Sequence, residues 1–194
     1  MKNIVIISGH PDSDSLSCAL AKAYTEAAKA AGANCNLIDL GAIKFDPILH
    51  HGFNKRTDLE PDLLKAQDLI AEANHLVFVF PIWWANLPAI LKGFIDRVFL
   101  PGFAFKGKEN SVYWDKCLTK KTAHIITLMD APIWYYKFMY RNSAHNALIK
   151  GTLKYCGIKT KQVTTFTPIK TSTLEKRKKW IAEVSELGKK EAIK

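Results

Sequence analysis

The feature that most constrains this chain is a rhythm. Short β-branched apolar runs alternate with longer segments whose apolar residues recur every three to four positions. Ile4 to Ser8, Asn34 to Leu40, His75 to Phe80, Thr122 to Thr127 and Gln162 to Phe166 read as strands, with helical patterns between them. Such alternation builds parallel βαβ units with helices on both faces of one sheet. The run His75 to Phe80 is continuously apolar, as a central strand covered on both faces must be. Leu16, Leu20, Ala23 and Ala27 give the first helix one buried face, and Gly32 stands where a left-handed cap is needed. Glu60-Pro61-Asp62 opens a second helix with proline and acids in its first turn. Leu87, Ile90, Leu91, Phe94 and Val98 mark a third, ended by Pro101-Gly102, and a further helix is expected from about Asn142 to Cys156. Phe103 to Lys121 reads as irregular and too long for a minimal connection, which points to a functional loop. Five strands and about five helices across residues 1–194 make one domain.

The longest apolar runs, such as Leu76 to Pro81, are far short of the ~20 residues that span a bilayer, so no membrane insertion is expected. The N-terminus passes directly from Met1-Lys2-Asn3 into a strand, with no export signal expected. Cys18, Cys35, Cys117 and Cys156 form no C-x-x-C pair; they read as small buried hydrophobes in a reducing, cytoplasmic setting. The net charge of +10 owes much to Lys176-Arg177-Lys178-Lys179 and Lys189-Lys190. Trp180, Val184 and Leu187 place those charges on the solvated face of an amphipathic C-terminal helix. No nucleic-acid module accompanies the charge, so no nucleic-acid partner is expected. His50-His51 has no third ligand at sensible spacing and reads as a loop pair, with no metal expected.

Two segments carry the chemistry. Ser8-Gly9-His10-Pro11-Asp12-Ser13-Asp14-Ser15-Leu16-Ser17 delivers the chain onto a helix start rich in hydroxyls, where free amides and the dipole favour a phosphate. Asp12 and Asp14 are compatible with an anion only if they point outward. Both the Walker loop and the G-x-G-x-x-G fingerprint are absent from this segment. The second segment, Phe80-Pro81-Ile82-Trp83-Trp84-Ala85-Asn86-Leu87-Pro88, leaves the carboxyl end of the third strand, where open α/β sheets bind ligands. Adjacent tryptophans there suit a flat aromatic partner, with the turn's amides offered to its polar edge. Pro132 to Tyr140 is a dense aromatic cluster suited to core packing, a ring-stacking wall or a subunit contact.

Glu60-Pro61-Asp62-Leu63, His75 to Trp84 and Leu87 to Phe105, with the Ser8-Gly9-His10-Pro11 turn, resemble the DT-diaphorase-like NAD(P)H:quinone oxidoreductases. The likeness is close over about the first 105 residues and looser beyond. It implies a flavodoxin-like, doubly wound five-stranded parallel sheet of order 2-1-3-4-5. It also implies a homodimer holding FMN or FAD, reduced by NADH or NADPH and reoxidised by quinones, the nicotinamide and the acceptor taking turns. In that resemblance His10, Ser15, Leu16 and Ser17 match the flavin phosphate and ribityl contacts, and Pro81, Ile82, Trp83 and Trp84 the loop along the isoalloxazine. Thr127-Leu128-Met129-Asp130 stands where the family often has a Thr-Gly-Gly-type turn at the flavin's pyrimidine edge. Tyr135 falls near the family's acceptor-side tyrosine; Arg141 occupies the aligned histidine position, with His145 one helical turn later. A flavin or azo-compound reductase would use the same cleft, and a flavin-binding redox-sensing subunit of a membrane partner is the alternative from another class.

Overall fold

A computed structural model describes residues 1–55 and 57–193. Strands β1 (Asn3–Ser8), β2 (Asn34–Asp39), β3 (His75–Pro81), β6 (Thr122–Leu128) and β7 (Lys159–Phe166) form one sheet in the order β2-β1-β3-β6-β7, every pair parallel. With the sheet strands counted in sequence this is the expected 2-1-3-4-5 order. The pleat feeds two cores. Ile4 and Ile6 of β1 and Val77 and Val79 of β3 pack beneath α1 (Leu16–Ala30) and the C-terminal α7 (Leu174–Ile193). Val5, Ile7, Leu76, Phe78 and Phe80 face α2 (Pro61–Glu72) and α3 (Ala89–Val98). Each such fully buried side chain contributes about 1.5–3 kcal/mol, and the central strand, buried on both faces, contributes to both cores.

The helix boundaries follow local chemistry. Ser15 caps α1 by accepting the Cys18 amide at 3.2 Å, and Gly32, at φ +91°, ends it in the left-handed region. Glu60 and Pro61 open α2. The 41–60 excursion is fastened to α3 by Arg97, which is buried and pairs with Glu60 Oε2 at 2.9 Å and Asp58 O at 3.0 Å. Within that excursion His50 pairs with Asp46 at 2.7 Å. On α7, Trp180, Val184 and Gly188 are buried against α1 while Lys178, Lys179, Lys189 and Lys190 face solvent.

Three expectations need correction. Residues 103–121 are not irregular: β4 (Phe105–Gly107) and β5 (Trp114–Lys116) pair antiparallel, and Trp114 stacks on Tyr155 at 4.1 Å while its Nε1 donates to Tyr155 O at 2.9 Å. Strands of three residues are too short to show a period. The last sheet strand begins at Lys159 rather than Gln162, because a bulge between Ala123 and His124 lets β7 lengthen against β6. Cys117 is exposed, unlike Cys18, Cys35 and Cys156. Beyond β6 come α4 (Ile133–Met139), α5 (Ser143–Asn146), a π-helical stretch Ala147–Leu153 and α6 (Lys154–Cys156), so the helix expected from Asn142 to Cys156 contains a π segment. Among the described residues no helix is long and apolar enough to cross a membrane.

Candidate functional site

At the carboxyl ends of β1, β3 and β6 the chain diverges, because α1 and α3 leave towards opposite faces of the sheet. This divergence opens a cleft of about 210 Å³ lined by His10, Ser15, Leu16, Ser17, Pro81, Ile82, Trp83, Leu128, Met129, Asp130 and Ile169. Gly9 makes the approach possible. A Cβ there would lie 2.9 Å from Leu91 Cδ2 and 3.0 Å from Phe80 Cβ, so any other residue would push these neighbours aside, and glycine lets the first turn pack closely against β3 and α3.

The floor of the cleft suits an anion. Leu16 and Ser17 open α1, where first-turn amides have no carbonyl ahead of them in the helix, and that first turn carries no acid. Ser17 is 3% exposed, yet it lines the cleft. Ser15, by contrast, is engaged as the helix cap. Asp12 is turned into its own loop, accepting the Asp14 amide at 2.9 Å, and both aspartates are exposed and lie outside the cleft lining. The condition for anion binding is therefore met.

The aromatic wall is built differently. The His10 Nδ1 accepts the Asp12 amide at 2.9 Å, fixing the imidazole edge-on against Trp83, with ring centroids 5.2 Å apart. Trp83 and Asn86 exchange backbone hydrogen bonds of 3.1 and 2.9 Å around Trp84 and Ala85, whose φ values of +49° and +56° make a turn of the type I′ pattern without glycine. Trp84 is fully exposed and does not line the cleft. The Ile82 amide is engaged by Leu128 O at 2.8 Å and the Trp83 amide by Asn86 O. These two amides, expected to serve a ligand's polar edge, hold the protein together instead.

The remaining expected residues separate into two groups. Leu128, Met129 and Asp130 line the cleft, and Asp130 Oδ1 accepts the Lys170 amide at 2.6 Å, fastening the loop that brings Ile169 in. Thr127 points away, with its hydroxyl 3.0 Å from His145 Nε2 and 3.0 Å from Thr165 Oγ1. Tyr135 is half-exposed on α4 between the rings of Trp134 and Tyr140, and Arg141 is exposed at φ +48°. Neither lines the cleft of the single chain. His145 is 7% exposed, and its amide donates to the Tyr136 hydroxyl at 3.3 Å. Burial, and secondarily Lys137, lowers its pKa to about 4, so it is neutral and pins α5 to β6. Ile169 was not foreseen; the signal for it is its place in the loop after the strand neighbouring β6, at the same carboxyl edge.

An open parallel sheet with a helix start free of acids and an aromatic wall at its switch point places the chain in the doubly wound α/β class. A family described by its flavodoxin-like fold matches residues 2–187, and the chain belongs to that family. It is 35% identical over 160 residues to an uncharacterized NAD(P)H oxidoreductase of Haemophilus influenzae, covering 80% of this chain and 79% of that protein. It is 34% identical over 125 residues to NAD(P)H dehydrogenase (quinone) 1 of Cavia porcellus, covering 54% of this chain and 46% of that one. The crystal structure of Smu.1420 from Streptococcus mutans superposes with a TM-score of 0.79 at 31% identity, over 98% of this chain and 100% of that chain.

Proposed function

We propose that this protein is a flavin-dependent NAD(P)H dehydrogenase that reduces quinones by two electrons. The observation that carries the reading is the convergence of Ser17, the α1 start and the His10–Trp83 wall on one cleft at the β1/β3 switch point. The residues present fit a flavin mononucleotide unit: an anion seat at a helix turn that carries no acid, with Asp130 on the opposite rim, hydroxyls at Ser15 and Ser17, and apolar walls at Ile82, Trp83 and Met129. Bound there, a flavin supplies hydride acceptance from NADH or NADPH and then two-electron delivery to a quinone, giving ping-pong kinetics.

The chain's own part is to bind, orient and exclude water. First-turn amides and the Ser17 hydroxyl hold the phosphate, while His10 and Trp83 fix the plane of the rings. Asp130, held by the Lys170 amide, sets the rim at the pyrimidine edge. Tyr135 is the candidate proton donor to the quinone oxygen, with Arg141 as the positive charge on the acceptor side. His145 is neutral and engaged by Thr127, so its contribution is to place this corner.

Trp134 at 68% and Phe138 at 82% exposure, near a fully exposed Trp84, support a homodimer in which a second copy covers α4 and roofs the cleft. Four free cysteines accord with a cytoplasmic setting. The test is mass spectrometry of the cofactor released by heating, followed by steady-state NADPH oxidation with a quinone. One FMN or FAD per chain and quinone-dependent turnover are expected. A protein that takes up neither flavin contradicts the reading.

A further inference from the structure

The turn that carries Trp84 is built from the wrong residues for its shape. Both central positions of a type I′ turn need φ > 0, and Asn-Gly is the favoured pair; here they are Trp84 at +49° and Ala85 at +56°. A β-carbon in the left-handed region carries a conformational penalty, so something outside the turn must hold it. One side chain reaches in: the Ser143 hydroxyl donates to the Ala85 carbonyl. Ser143 itself follows a second left-handed pair, Arg141 at +48° and Asn142 at +55°. That corner is braced by Asn146 Nδ2 donating to Arg141 O at 2.6 Å and by the Ser143 amide donating to Tyr140 O at 2.9 Å.

We propose that Ser143 is a positioning residue that latches the flavin-side turn to the aromatic helix α4. The inference rests on the quinone-reductase reading only for its effect on the acceptor. Through the latch, the corner that ends α4 and the turn that follows Ile82 and Trp83 move as one body. Its loss frees Ala85 to leave the left-handed region, so Trp84 swings and the wall beside the acceptor loosens. Flavin retention depends on the phosphate end of the cleft and is left intact, whereas the nicotinamide, which takes turns with the acceptor beside the same wall, is affected in the same direction. The predicted signature is a raised acceptor KM with kcat nearly unchanged.

The experiment compares wild type, Ser143→Ala, Ser143→Thr, Ala85→Gly and the Ser143→Ala/Ala85→Gly double variant, each as the full chain loaded with FMN. The first readout is hydrogen exchange at the Trp83 and Asn86 amides without nicotinamide or quinone. Ser143→Ala is expected to speed that exchange about fivefold, the factor that one net hydrogen bond represents. Ser143→Thr, which keeps the hydroxyl, should stay near wild type. Ala85→Gly removes the penalty at its source and should restore protection in the double variant, which a mere helix-terminus role for Ser143 would not do. The second readout is the acceptor KM, expected to rise and recover in the same pattern. Unchanged exchange in a folded Ser143→Ala protein overturns the latch, as does failure of Ala85→Gly to rescue. Should Ser143→Ala not fold, restored folding in the double variant supports the latch and continued misfolding overturns it. Exchange that follows the predicted pattern in a protein without quinone-dependent NAD(P)H oxidation leaves the latch standing and removes the functional reading.

Discussion

The two ends of the cleft are made to different standards. At the phosphate end the parts are regular: Ser15 caps a 15-residue helix, Ser17 is buried, Gly9 gives close packing, and Asp12 is satisfied within its own loop. At the acceptor end, four residues with β-carbons stand at positive φ in two adjoining corners, Trp84 is fully exposed, and α4 presents Trp134 and Phe138 to solvent. Strained backbone and exposed aromatic surface persist where a ligand or a second chain completes the structure. If the proposed function holds, one chain suffices to seat the cofactor, and a second copy covers the acceptor side.

The sharpest way to break this comparison is to spoil the regular end. Ser17→Asp puts a carboxylate where the phosphate is seated, while an acid in the first turn favours the helix itself. Flavin affinity measured by fluorescence titration should fall at least a hundredfold, about 2.7 kcal/mol, a larger loss than the fall in stability caused by placing a carboxylate at this buried position. Equal loss of folding and binding would mean that the helix start is only structural.

The scaffold beneath both ends should answer to acid. His75 and His145 are buried neutral, each with a pKa lowered to about 4, chiefly by desolvation. A lowered folded-state value means that the unfolded chain binds the proton first, so stability is complete above about pH 6.5 and is lost as the pH falls towards 4. Each histidine sets a slope of up to about 1.4 kcal/mol per pH unit in that window. Denaturant midpoints measured from pH 7 to 5 should fall, and a conservative His145→Asn variant that folds should show a shallower slope. An equal slope would show that His145 is solvated.

At the irregular end, Phe138→Lys should convert dimer to monomer by sedimentation and lower quinone turnover about tenfold or more, with flavin still bound. A fully active monomer would show that the acceptor site is complete within one chain. The smallest effect belongs to Trp84→Ala. With the indole in solvent, thermal stability should change by less than about 0.5 kcal/mol, while the acceptor KM rises several-fold. Unchanged acceptor kinetics would exclude Trp84 from the site.

What could be read from the residues follows the same division. β3 was legible because it is apolar on both faces, and the start of α1 because hydroxyls just before an apolar helical period mark a helix cap. Thr127 and His145 were grouped with ligand contacts, but alternation along β6 turns Thr127 away from its neighbour Leu128, and its hydroxyl takes His145 with it. No pattern along the chain records which face of a strand meets a later helix. The β4–β5 hairpin is too short to have a period, and Ile169 enters through a contact between Asp130 and Lys170 forty positions apart. The left-handed φ values at Trp84 and Ala85 contradict local preference, and the Ser143 hydroxyl that meets Ala85 lies 58 positions away, beyond the reach of any local pattern.

The central claim, a flavin seated at Ser17 that passes two electrons from nicotinamide to quinone, is tested most directly by double-mixing stopped-flow under anaerobic conditions. NADPH is mixed first and a quinone second, and the visible absorbance of the FMN-loaded protein is followed throughout. Complete bleaching is expected in the first phase, full recovery in the second with one quinone consumed per flavin, and no bleaching in Ser17→Asp at the same FMN concentration. A wild-type protein that remains unbleached by both NADPH and NADH, or bleaches and is not reoxidised by any quinone, would contradict the claim.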